Sequence, residues 1–137
     1  MDTAKKVLVV DDEKGIRFLL SEVLHNQGFE VSLARDGQES LDKLENDRFD
    51  LVVTDINMPR LDGVAMLKRM KRTGRSEKII IMSGDPSDQG LSDTEIPNLV
   101  TRLLKPFRLD NFLSVVLAAT GNGVDRIGGT QGREAAL

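Results

Sequence analysis

The sequence contains no cysteine, which excludes disulfides and thiolate metal centres and fits a reducing compartment. It also lacks any long apolar run. The opening residues, MDTAKKVLVVDDE, place only a short apolar stretch before acidic residues, too little for a signal-peptide core and far too little to span a bilayer. A cytoplasmic protein without membrane insertion is therefore expected. The formal charge is −3, and the chain is read as having no basic run of the kind that marks a nucleic-acid or membrane patch, so direct nucleic-acid binding is not expected. Histidine occurs once, as His25 beside Asn26 in an amphipathic segment, and is read as a surface or helix-end residue, not a ligand or phosphodonor.

What remains is an ordinary globular balance. Hydrophobic residues make up 39% and charged residues 30% of 137, enough apolar material for one core and not for two. Residues 1–120 are expected to form one domain. From Gly121 the chain reads GNGVDRIGGTQGREAAL, with five glycines and no aromatic residue, so 121–137 is expected to be a flexible tail.

Short, unalternating apolar runs occur at Val7–Val10, Leu51–Thr54 and Ile79–Met82, with weaker ones at Val31–Ala34 and Leu99–Leu104. Such runs suit strands buried on both faces of a parallel sheet. Between them lie stripes of helical period. The first comprises Ile16, Leu19, Leu20, Val23 and Leu24, closed by Gly28; others are Leu41/Leu44, Val64/Leu67/Met70 ending near Gly74, and Leu109/Phe112/Leu113/Val116/Leu117. The stretch Asp85 to Asn98 carries Pro86, Gly90 and Pro97 among small polar residues and reads as a short helix or loop at best. The alternation gives an α/β fold of (βα)5 type, a doubly wound parallel sheet with its ligand site outside the carboxyl ends of the strands.

Polar residues stand at those ends: Asp11 and Asp12 after VLVV, Asp55 after LVVT, Ser83 after IIIM, and Lys105 before Pro106. Three converging carboxylates repel one another and need a positive partner. A hard dication with oxygen ligands, best Mg2+, answers that need, while Lys105 and the Ser83 hydroxyl can meet the oxygens of a phosphoryl group. Taken singly, aspartates after strands are usually caps or loop ends, and a Lys-Pro pair is usually a turn. Only the joint set points to chemistry. Met58, Met66, Met70 and Met82 are read as loop and core packing.

The segments VLVVDDE, DLVVTDINMPRLDG, IIIMSG and LLKPF, at intervals of 44, 28 and 22 residues from Asp11 through Asp55 and Ser83 to Lys105, resemble the motif set of response-regulator receiver domains of the CheY-like type. The resemblance covers about residues 5 to 120. It implies a flavodoxin-like five-stranded sheet in the order 2-1-3-4-5. It implies that Asp55 is the phosphoacceptor, that Asp12 and Asp55 ligate Mg2+ with Asp11 helping partly through water, and that the backbone carbonyl of Asn57 is a further ligand. Ser83 and Lys105 would contact phosphoryl oxygens, a cis peptide bond would join Lys105 to Pro106, and Pro59 and Gly63 would shape the loop after the acceptor. The donor would be a sensor histidine kinase or a histidine phosphotransfer protein, and the output an unnamed downstream protein. Such a domain is a signalling module that assists its own phosphorylation and dephosphorylation rather than an enzyme in the ordinary sense.

Three residues before the lysine, where the family usually carries an aromatic residue, this chain has Arg102, and it contains no tyrosine or tryptophan at all. Arg102 is expected to be an exposed contact for an acidic partner. Glu13, Asp62 and Asp85 are read as turn and capping residues, with Glu13 and Asp85 flanking the rim where they could influence phosphoryl lifetime. Two other functions compete. A phosphohydrolase of the haloacid-dehalogenase type also uses a strand-end aspartate with Mg2+, but places a second acid where Asn57 stands. A degenerate receiver would bind partners without being phosphorylated, leaving the acidic set without a task.

Overall fold

The computed structural model describes residues 4–56, 63–84, 96 and 98–121. The expectations for Asn57, Met58, Pro59, Asp62, Asp85, most of the 85–98 segment and the tail beyond Gly121 lie outside the described residues.

Among the described residues there are five strands and four helices: β1 Lys6–Val10, α1 Lys14–Asn26, β2 Glu30–Ala34, α2 Gly37–Asn46, β3 Leu51–Asp55, α3 Gly63–Arg72, β4 Lys78–Ser83, β5 Leu99–Leu104 and α4 Leu109–Ala119. All pairings are parallel, in the order β2-β1-β3-β4-β5. Both match the doubly wound sheet expected from the sequence.

The unbroken apolar runs are explained by what each face meets. Val7, Val9, Leu51, Val53, Ile80 and Met82 pack with Leu20, Leu24, Phe112 and Val116, the buried faces of α1 and α4. Their neighbours Leu8, Val10, Val52, Ile79 and Ile81 point the other way, onto Leu44, Met66, Leu67 and Met70 of α2 and α3. Because successive strand residues face opposite sides, a sheet covered on both sides must be apolar at every position. Full burial of each large aliphatic or aromatic side chain contributes roughly 1.5–3 kcal/mol before entropy is counted.

One member of the expected first stripe departs from it. Leu19 is 37% exposed, and its neighbour Phe18 is 65% exposed, whereas Leu20 and Leu24 are fully buried. Successive helical positions lie about 100° apart, so the core-facing stripe of α1 accommodates Leu20 but leaves Leu19 at its edge. Gly28 ends the helix as expected. It lies at φ 91°, with its N–H donating to the His25 carbonyl and the Phe29 N–H to the Leu24 carbonyl. His25 is exposed in the last turn, and Met66, Met70 and Met82 are core residues.

Candidate phosphoacceptor site

Register alone assembles the site. Val10 pairs with Thr54, Asp55 with Met82 and Ser83 with Leu104. The residues at or just beyond the carboxyl ends of β1, β3, β4 and β5 are therefore neighbours along one rim: Asp11 and Asp12, Asp55, Ser83, and Lys105.

Asp11 is fully buried, Asp55 and Ser83 are nearly so, and Asp12 is exposed. The carboxylates of Asp11, Asp12 and Asp55 each offer an oxygen within 4.8 Å of the others. Lys105 Nζ donates to Asp11 Oδ2 at 2.7 Å and to Asp55 Oδ2 at 3.1 Å, and lies 3.7 Å from Glu13 Oε1. Its backbone N–H donates to the Ser83 carbonyl at 2.7 Å, and the peptide bond to Pro106 is cis.

Charge at this rim is unbalanced. Burial pushes the Asp11 carboxyl above the usual aspartate range, opposed by the Lys105 ammonium and the Glu13 N–H and reinforced by the nearby Asp55. Burial also works against the Lys105 ammonium, but its hydrogen bonds to Asp11 and Asp55 prevail and hold it above the usual lysine value. Among the described residues, the Lys105 ammonium is shared between Asp11 and Asp55. The donor set is all oxygen, with one carboxylate open to solvent, which fits a hard dication that keeps several waters, Mg2+ before any softer metal.

Two backbone features fix the loops around the cluster. Gly63, at the start of α3, lies so close to β3 that a β-carbon there would stand 2.4 Å from the Asp55 carbonyl oxygen and 2.9 Å from the Ile56 α-carbon. Only glycine fits. On the other side, Asp11 Oδ1 accepts from the Glu13 N–H at 2.9 Å, and the Arg17 guanidinium donates to the Asp11 carbonyl oxygen at 2.7 Å. Arg17 was not singled out from the sequence. Its placement one turn into α1, in reach of the preceding loop, was the signal available.

The sequence expectation for Arg102 needs correction. It is half-buried on β5, opposite Ile81, while Val100 and Leu104 on the same edge strand are 40% and 51% exposed. An arginine on an edge strand lays its methylene stem along neighbouring apolar surface, so it is not the fully exposed residue expected.

The chain as a whole resembles known proteins. The family model described as "Response regulator receiver domain" matches residues 7–117. Sporulation initiation phosphotransferase F of Bacillus subtilis is 35% identical over 112 residues, covering 82% of this chain and 90% of that protein. Response regulator MprA of Mycolicibacterium vanbaalenii is 36% identical over 117 residues, which are 80% of this chain but 47% of that protein, so the chain spans about half the length of this relative. Among solved structures, response regulator protein TrrA of Thermotoga maritima in complex with Mg(2+)-BeF is 32% identical with a TM-score of 0.74, covering 84% of this chain and 98% of that one. The chain belongs to the response-regulator receiver-domain family. Receiver domains are signalling domains of two-component systems, and aspartyl phosphorylation and Mg2+ binding are general properties of the family. No described helix is long and apolar enough to cross a membrane.

Proposed function

We propose that this chain is a receiver of a two-component phosphorelay in the cytoplasm, taking a phosphoryl group onto Asp55 from a histidine kinase or histidine phosphotransfer protein and then binding a downstream protein. Residues 1–120 form the receiver and 121–137 an appended tail. The observation that carries the reading is the Lys105 ammonium held between Asp11 and Asp55, at 2.7 and 3.1 Å, on a rim where three carboxylates meet. An acceptor carboxylate with a cation beside it is arranged for a phosphoryl group, and a purely structural rim has no need of buried charge.

In the transfer, an Asp55 oxygen attacks phosphorus in line with the phosphohistidine bond. The new O–P bond forms as the N–P bond breaks, and its electron pair leaves on the imidazole nitrogen, which takes up a proton. Lys105 and the Ser83 hydroxyl donate to the equatorial oxygens. Asp12, Asp55 and the Asn57 backbone carbonyl are the residues that would hold Mg2+, which supplies charge neutralisation at those oxygens. Asp11 fits a role one step removed, because its Oδ1 is engaged by the Glu13 N–H and its Oδ2 by Lys105.

The donor has an apolar seat beside the site. A cavity of about 370 Å3 lies between α1 and the β5–α4 loop, lined by Ile16, Leu19, Lys105, Pro106 and Phe107 among others. Once formed, the acyl phosphate adds roughly −1.5 to −2 charge, drawing Ser83 toward Asp55 and biasing the surface of β5 and α4, where Arg102 stands. Transfer of labelled phosphoryl from an autophosphorylated histidine kinase tests the reading. Label should enter the wild-type chain with Mg2+ and fail to enter it with excess chelator or in Asp55→Asn. Equal labelling of Asp55→Asn would overturn it.

A further inference from the structure

Away from the phosphoacceptor, the chain gathers cations that its overall charge of −3 conceals. From Lys68 to Arg75 it reads KRMKRTGR, five cations in eight residues, and no acid occurs between Asp62 and Glu77. The expectation that the chain has no basic patch is corrected here. The cations were easy to pass over because Met70, a core residue, interrupts them. On α3, Lys68, Arg69, Lys71 and Arg72 are all exposed, at the end of the helix remote from Gly63 and the acceptor.

Cations in a last helical turn commonly do no more than complement the helix dipole, and most remain solvated. Two observations go beyond that. First, Arg48, from the loop between α2 and β3, and Arg69, from α3, line one cavity of about 340 Å3, together with Arg75. Arg75 is committed to Glu77 and to the carbonyls of Leu44 and Asp47, but Arg48 and Arg69 form no ion pair among the described residues. Secondly, the cavity has apolar walls: Leu41, Leu44 and Met70 line it, and the only acid among its lining residues is Glu45. Guanidinium groups at the rim of an apolar hollow suit a ligand that carries both carboxylates and aliphatic side chains.

We propose that the α2–α3 cavity is a docking site for an acidic, amphipathic segment of a partner protein, with Arg48 and Arg69 pairing its carboxylates and the half-buried Leu41 receiving an aliphatic side chain. Nucleic acid is the poorer occupant. Its bases need exposed aromatic platforms, and none lines this cavity, while an apolar wall offers nothing to a phosphate backbone. The site lies at the amino-terminal edge of the sheet, opposite the acceptor rim, so occupancy is independent of the phosphorylation state of Asp55.

Fluorescence anisotropy of the full chain tests the proposal with three labelled probes: a peptide of Glu and Leu patterned as an amphipathic helix, poly-glutamate, and a single-stranded DNA oligonucleotide. The amphipathic peptide should bind more tightly than poly-glutamate and weaken as salt is raised. Arg48→Gln with Arg69→Gln should weaken it by about 5-fold or more. Arg108→Gln, a cation elsewhere that pairs with Asp110, should leave it unchanged. An unchanged thermal midpoint confirms that the double variant is folded. No binding of the peptide, binding indifferent to the double variant, or tighter binding of the DNA through the same arginines would each overturn the proposal.

Discussion

The backbone N–H of Lys105 donates to the carbonyl oxygen of Ser83 at 2.7 Å, one step beyond the Ser83–Leu104 register of β4 and β5. The two residues proposed to meet the phosphoryl oxygens are therefore tied to each other by the main chain. On the proposed reading, movement of Ser83 toward a phosphorylated Asp55 would carry the start of the Lys105–Pro106 loop with it.

Lys105→Ala removes the ammonium that pairs with both Asp11 and Asp55 and leaves the fully buried Asp11 without that ion-pair partner. Breaking one side of a buried pair commonly costs about 3–5 kcal/mol, and the part-exposure of Lys105 reduces that to roughly 2–4 kcal/mol. The remaining negative charge should favour a dication more strongly than in wild type. Urea denaturation with and without Mg2+ should show a larger stabilisation of the variant by the metal than of wild type. Equal stabilisation of both would mean that Lys105 does not compete for the metal's carboxylates.

Gly63→Ala should damage the acceptor loop directly, because the new methyl would overlap the Asp55 carbonyl at 2.4 Å. The loss should be about 1–3 kcal/mol, as for an overpacked core position, with slower phosphorylation from the displaced β3 terminus. Gly15→Ala is the matched control, since nothing lies within 4 Å of a β-carbon there. Thermal midpoints and phosphorylation rates of the two variants distinguish a local clash from a general sensitivity to alanine.

Glu77 provides a pH test remote from the acceptor. Burial works against its carboxylate, but the Arg75 guanidinium and the Phe49 N–H outweigh burial and hold it below the usual glutamate range. A depressed folded-state pKa contributes stability that is complete above the unfolded value and is lost as pH falls through the folded one. Glu77→Gln should therefore destabilise the fold by roughly 1–3 kcal/mol near neutral pH. The difference from wild type should shrink below about pH 4, where the unfolded-state glutamate begins to protonate. Urea midpoints across that range check the direction, and a gap that widened toward acid would contradict it.

The rim was legible in the sequence because each of Asp11, Asp55 and Ser83 follows a short run rich in β-branched residues, so strand direction alone sends them to one edge. Gly28 was legible for a similarly local reason, a required left-handed turn. Arg17 was not, since its role depends on a side chain of α1 reaching back to the Asp11 carbonyl. Leu19 was misplaced because periodicity gives the centre of an apolar stripe better than its edge. The α2–α3 basic cavity escaped because Arg48 and Arg69 are 21 positions apart and meet only through helix packing.

The most direct measurement of the central claim is intact-protein mass spectrometry after incubation with acetyl phosphate and Mg2+. The wild-type chain should gain one phosphoryl group, and Asp55→Asn should gain none. No adduct on wild type, or the same adduct on Asp55→Asn, would contradict the assignment of Asp55 as acceptor.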